Sequence, residues 1–357
     1  MRILQINSER GWRGGERQTL LTALGLRERG HDVEVLVRGG GVLETRAQAE
    51  GLRTHAAKTT AEFGGWLARH GRAYDVLHVQ TANVLAWALL AKPLHRRPVV
   101  FSRRTSFPIR GFSGFSRLKW GCTDVRVAIS EAAATAMREM GLSVQIIPSA
   151  VPPVEPNTLR VQEFILREKL AGYRLVGTAA ALSPEKDPVT LIHAAAKVCA
   201  TYPDVIFVHW GAEGAAAEAA RLAIRDLGLE RRYRLLGFEA GVEQLFVALT
   251  VFVMASRHEA LGSSVLDAMA QSVPVVATHA GGLKELLADG RGLLSEPGDA
   301  GGLAAHIVEL LSQPERRLNM ATHGLHEVQT RYGLEAMVEQ YERLYLRATS
   351  PRLGCAR

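Results

Sequence analysis

Cysteine is scarce in this 357-residue chain. Cys122, Cys199 and Cys355 are odd in number and far apart. That spacing excludes a disulfide framework and paired-cysteine metal sites, and it suits a reducing, cytoplasmic compartment. No apolar run approaches the roughly 20 residues that cross a bilayer. Met1-Arg2-Ile3-Leu4-Gln5-Ile6 leads straight into a strand, with no secretory leader pattern. A strict Gly-x-Gly-x-x-Gly fingerprint is missing, which weakens any dinucleotide reading. No repeat of solenoid length is visible. Acidic side chains are absent from Val76 to Thr123, a stretch that holds Lys92, Arg96, Arg97, Arg103, Arg104, Arg110, Arg117 and Lys119.

What is present is a globular composition, 47% hydrophobic and 22% charged, long enough for two cores. Charge is unevenly shared. Residues 1–160 hold 23 Lys+Arg against 13 Asp+Glu, and the remainder 20 against 23. The first half therefore faces something anionic: a membrane surface, an anionic glycolipid or nucleic acid. Phe107, Pro108, Ile109, Phe112, Phe115 and Trp120 interleave with the later cations, as in a basic loop whose rings enter a lipid interface, or a solvated basic face over core aromatics.

Strands and helices alternate throughout, which predicts parallel sheets covered on both faces. Arg2–Ile6, the loop holding Gly11, Gly14 and Gly15, the helix Glu16–Arg29 and the strand His31–Val37 form a βαβ opening. Pro148, Pro152, Pro153 and Pro156 read as a stiff linker. The expected division is therefore 1–152, 153–332 and a terminal helix from 333 onward.

The densest signal lies between Phe252 and Gly298. An apolar run ends in Arg257-His258-Glu259-Ala260-Leu261-Gly262-Ser263-Ser264, and a helix containing Asp267 follows. Unpaired amides at a helix start favour an anion. Gly262 lets the backbone approach a ligand, and Ser263 and Ser264 add hydroxyls. A second unit repeats the pattern: the strand Val273–Thr278, the turn Gly281-Gly282, and a helix from Leu283. Two helix starts are thus expected at the ligand-binding edge of one sheet.

Glu259, seven residues, then Asp267, with Gly281-Gly282 and Glu285 and then Pro297-Gly298-Asp299, resembles the signature of the GT-B retaining glycosyltransferases of family four. Asp replaces the second Glu. The resemblance implies two Rossmann-like domains facing a cleft, with the last helix returning to the first domain. It implies sugar transfer from a nucleotide-sugar donor to a cell-envelope glycolipid or polysaccharide precursor, such as lipopolysaccharide core.

Lys186 would neutralise the leaving diphosphate, and Glu259 would hold donor-sugar hydroxyls. Asp267 would hold the ribose. Arg257, Leu261, Gly262, Ser263, Ser264, Gly14 and Gly15 would serve the donor. The family places a basic residue where Ala181 stands, so Arg257 or a first-domain arginine would have to substitute. His78, Arg103 and Arg104 are the acceptor candidates; the arginines occupy the place of a family histidine. No Asp-x-Asp occurs, which disfavours the metal-dependent class, so neither a metal nor any other cofactor is expected. The expected partners are the donor, an anionic acceptor and peripherally the inner face of the membrane, without nucleic acid. The alternatives are a nucleotide-sugar epimerase on the same fold and a non-catalytic anion- or nucleic-acid-binding protein.

Overall fold

The structure, a computed structural model, describes residues 1–107 and 113–350. Pro108, Ile109, Arg110, Phe112 and Cys355 lie outside the described residues. The chain divides into two compact units. Unit 1 is Met1–Ala150 with the segment from Leu334 onward, and unit 2 is Val151–Gly333.

Unit 1 runs β1 (Arg2–Asn7), α1 (Gly14–Glu28), β2 (Asp32–Arg38), α2 (Val42–Ala49), β3 (Arg53–Ala57), α3 (Thr60–His70), β4 (Val76–Val79), α4 (Ala82–Leu90), α5 (Lys92–His95), β5 (Val99–Arg103), α6 (Ser113–Gly121), β6 (Val125–Ala128), α7 (Glu131–Arg138) and β7 (Gln145–Ile146). All seven strands are parallel, in the order β3-β2-β1-β4-β5-β6-β7. The order reverses between β1 and β4, so their carboxyl ends flank a crevice of the kind that binds ligands in doubly wound sheets. The central strands β1, β4 and β5 are almost wholly buried because helices cover both faces.

Unit 2 repeats the plan. It runs α8 (Thr158–Arg167), β8 (Arg174–Ala179), α9 (Pro188–Thr201), β9 (Val205–Trp210), α10 (Ala217–Asp226), β10 (Tyr233–Gly237), β11 (Val251–Met254), α11 (Ser263–Ala270), β12 (Val275–Thr278), α12 (Leu283–Leu286), β13 (Leu293–Ser295), α13 (Ala300–Ser312) and α14 (Pro314–Arg331). The six parallel strands are ordered β10-β9-β8-β11-β12-β13, and the reversal falls between β8 and β11.

The last helix, α15 (Leu334–Thr349), packs in unit 1. Val338, Tyr341 and Tyr345 join the core formed by Ile3, Leu20, Val35 and Val100. A Cβ on Gly25 of α1 would lie 2.4 Å from Val338 Cγ2, so the bare glycine is what lets the two helices close.

Two expectations change. The stretch expected as a basic aromatic loop is in part the helix α6, and Trp120 is buried beneath Arg103. The helix after Gly281-Gly282 is a single turn, Leu283–Leu286, too short to offer a second anion-binding terminus.

Candidate active site

In unit 2 the two switch-point strands end in loops that are tied together. Residues 180–187 follow β8 and residues 255–262 follow β11. The Glu185 carbonyl accepts the Arg257 amide at 2.8 Å. Asp187 caps α9 by accepting from the Thr190 amide and hydroxyl at 3.3 and 2.8 Å. Its carboxylate also pairs with Arg257 Nε at 2.7 Å. Above this brace, Lys186 Nζ forms an ion pair with Glu259 Oε2, and Ser256 Oγ donates to the same oxygen at 3.4 Å. The two side chains keep 24% and 13% of their surface open, enough to meet a ligand.

The glycines divide into two roles. Gly262 is the N-cap of α11 with φ +100°, and a Cβ there would sit 2.7 Å from Leu283 Cδ2. Only glycine meets both demands, and it delivers the amides of Ser263 and Ser264 at the helix start. Gly281 and Gly282 are buttresses. Cβ atoms there would lie 1.9 and 2.2 Å from the carbonyl oxygens of Glu259 and Ala260, and the Gly282 amide donates to Glu259 at 3.0 Å. This turn fixes the loop that presents Glu259.

Leu261 sends its side chain inward, so it can offer only its amide. Asp267 lies on the buried face of α11, 5% exposed. Arg257 reaches over Gly298: a Cβ on that glycine would lie 3.6 Å from Arg257 Nη2. Ala181 lies where the backbone runs flush against Gly211, whose Cβ would fall 1.7 Å from the Ala180 oxygen. Sequence reasoning missed Asp187 and Ser256. An Asp immediately before Pro188, the first residue of a helix, is the capping signal that would have found the former.

In unit 1, α1 begins at Gly14, close to the carboxyl end of β1. Glu16 accepts from the Arg13 amide at 2.9 Å and from Asn7 Nδ2 at 3.3 Å, and burial pushes its carboxyl up. Arg104 lies beside this turn. Its Nε donates to Gln80 Oε1 at 2.9 Å and its Nη1 to Ser149 Oγ at 3.2 Å; its Cδ is 3.7 Å from where a Gly15 Cβ would be. Two of the three acceptor candidates are corrected. His78 is fully buried, with Nδ1 2.5 Å from Tyr345 Oη and Nε2 2.7 Å from Ser102 Oγ. Burial and then the Arg104 charge hold its pKa well below the ordinary value, so it serves as a neutral core ligand to α15. Arg103 is also buried: it donates to the Phe107 carbonyl at 2.6 Å and lies 5.2 Å over the Trp120 ring. Arg104 remains.

Two Rossmann-like units, the second with a lysine–carboxylate pair at a glycine-capped helix, define the GT-B class of transferases. The chain matches the family model for glycosyl transferases group 1 over residues 162–326 and that for glycosyltransferase family 4 over residues 12–155. It belongs to family 4 of the glycosyltransferases. It is 35% identical over 127 residues to the lipopolysaccharide core biosynthesis glycosyltransferase LpsE of Rhizobium meliloti, a match spanning 35% of this chain and only 37% of that protein. It is 26% identical to a D-inositol 3-phosphate glycosyltransferase of Corynebacterium urealyticum, over 89% of this chain and 82% of the other. The Anabaena HepE structure in complex with UDP-glucose superposes with a TM-score of 0.87 at 22% identity, covering 97% of this chain and 100% of that one.

Proposed function

We propose that this chain transfers a sugar from a nucleotide-sugar donor, with retention, to a cell-envelope glycolipid or polysaccharide precursor such as lipopolysaccharide core. The observation that carries the reading is the Lys186–Glu259 pair at the switch point of unit 2, beside the amides that Gly262 exposes. Glu259 accepts sugar hydroxyls. Lys186 stands where charge develops on the departing diphosphate and neutralises it without a divalent ion. The helix start at Ser263-Ser264 holds the phosphates and Asp267 the ribose edge. The leaving phosphate takes the acceptor proton, so no separate base is required.

UDP is the favoured nucleotide because the HepE structure holds UDP-glucose. The acceptor is assigned to unit 1, where Gly14-Gly15 and Arg104 suit an anionic group. The LpsE match favours an envelope saccharide. Among the described residues no helix is long and apolar enough to cross a membrane, so contact with the inner cytoplasmic face would be peripheral. A thermal-shift panel of UDP-, GDP-, ADP- and CDP-sugars tests the donor, since a ligand of the folded state raises its stability. A UDP-sugar is expected to give the largest shift. No shift with any of them would overturn the reading. Anomeric analysis of the product by NMR tests retention, and activity in EDTA tests metal independence.

A further inference from the structure

The outward side of the helices that connect β4, β5 and β6 is apolar where a soluble surface would be polar. α4 turns Val84, Leu85 and Ala88 toward the sheet. Its opposite stripe continues through α5 as Trp87, Leu90 and Leu94, exposed by 37%, 71% and 60%. α6 buries Trp120 and leaves Phe115 and Leu118 exposed by 58% and 65%. The helices are neighbours. Lys119 Nζ reaches the Ala82 carbonyl at the start of α4, and Lys92 Nζ the Cys122 carbonyl just past α6, both at 3.5 Å. Scattered exposed leucines are ordinary, but five large apolar side chains on adjoining helices form a patch that calls for a partner.

The charge says which partner. Arg96 and Arg117 are exposed on these elements, and Arg97 and Lys119 are partly so. Arg96 and Arg97 line a recess of about 990 Å³ together with Arg347 of α15. Asp124, the one carboxylate among the described residues that line it, is already paired with Lys92 at 2.7 Å. An acidic protein or a nucleic acid would match the charge but leave aliphatic tips against polar surface. A bilayer with anionic head groups matches both, taking the apolar tips into its interface and the cations at its head groups.

We propose that α4, α5 and α6 form a docking face for an anionic lipid bilayer. Leu90, Leu94, Phe115 and Leu118 enter the interface, and Arg96, Arg97 and Arg117 meet the head groups. α4 starts just after Gln80, the residue that holds Arg104, at the carboxyl edge of the unit 1 sheet, and the docking face runs from there toward the amino edge, where Arg96 and Arg97 precede β5. The proposal deepens the envelope-acceptor reading, and its observations stand without it.

The test is co-sedimentation of the full chain with vesicles of phosphatidylcholine, alone or mixed with phosphatidylglycerol, without donor or acceptor. Binding to the mixed vesicles that weakens as salt rises is expected. Leu94→Glu with Leu118→Glu should lower the partition coefficient about tenfold or more. Arg96→Ala with Arg117→Ala should remove the preference for phosphatidylglycerol. Thermal unfolding of each variant, with and without UDP, checks that the fold and the nucleotide site persist. The proposal is overturned if the wild-type chain stays in the supernatant, or if folded variants bind as well as it does. It is also overturned if the leucine changes abolish a dimer rather than vesicle binding, or if DNA displaces the vesicles and still binds the leucine variant. Loss of the UDP shift with vesicle binding intact would count against the transferase reading and leave the docking face standing.

Discussion

Replacing Lys186 by Ala separates a chemical role from a structural one. The lysine and Glu259 are partly buried, at 24% and 13% side-chain exposure. Breaking the pair should therefore cost about 1–2 kcal/mol of stability, between the values for exposed and buried pairs. Loss of a fixed charge aimed at a leaving group costs more, about 2.7–4 kcal/mol of transition-state energy, or roughly 10²–10³ in kcat. The assay is nucleotide release with the sugar donor that gives the largest thermal shift, run at saturating donor. Urea unfolding of the same protein supplies the stability. A control is needed because Lys186 could act only by holding Glu259. The substitution Glu259→Gln removes that duty while keeping the shape. If Lys186→Ala lowers kcat about a further hundredfold when added to Glu259→Gln, the lysine acts on the phosphate. If it has no additional effect there, or lowers Tm while kcat stays within about threefold, the phosphate role is refuted.

Three other outcomes follow from the geometry. Burial alone would raise the Glu34 carboxyl, but hydrogen bonds from His55, Tyr74, Arg2 and Arg53 outweigh it and lower the pKa from 4.5 to about 2. A depressed carboxylate stabilises the fold above its unfolded pKa and loses that contribution as pH falls toward its folded one. About 3 kcal/mol should therefore disappear between pH 4.5 and 2, and the stability gap between wild type and Glu34→Gln in urea titrations should narrow over the same window. Arg104→Ala should raise acceptor KM about tenfold with little change in Tm, whereas the buried Arg103→Ala should lower Tm and leave KM alone; equal kinetics for Arg104→Ala and wild type would remove Arg104 from the site. Gly25→Ala should destabilise unit 1 by about 1–3 kcal/mol through overpacking on Val338, and Val338→Ala should relieve most of that cost in calorimetry.

The doubly wound alternation was legible because its central strands are buried on both faces and read as unbroken apolar runs, as in Val99-Val100-Phe101 or Val205-Ile206-Phe207-Val208. The edge escaped. β3 is Arg53-Thr54-His55-Ala56-Ala57, half exposed and without an apolar run, and it is held in part by Glu34 reaching across to Arg53 and His55. Only the fold supplies that pairing. The same limit explains α6. Phe115 and Trp120 are both aromatic and flanked by cations, yet one points to solvent and the other lies under Arg103, a distinction that depends on where β5 and β6 stand.

At the site, residue type located the chemistry better than it assigned the work. Lys186 and Glu259, 73 positions apart, do meet, because β8 and β11 are adjacent strands whose loops leave the same edge. His78 and Arg103 carry the right functional groups near the right strand ends, yet each is turned into the core. The glycine pair of the signature is the instructive case. A Gly-Gly turn before a helix has the form of an anion cradle, but α12 is one turn long and both glycines lie against the main chain of Glu259 and Ala260. Their bareness allows the second loop to press on the first and fix the carboxylate that we propose holds the donor sugar. An alanine in place of Gly282 should therefore impair catalysis by moving Glu259 rather than by losing a phosphate contact. That predicts a fall in kcat with the affinity for free UDP preserved, whereas a loss of UDP affinity would return this turn to the role its sequence suggests.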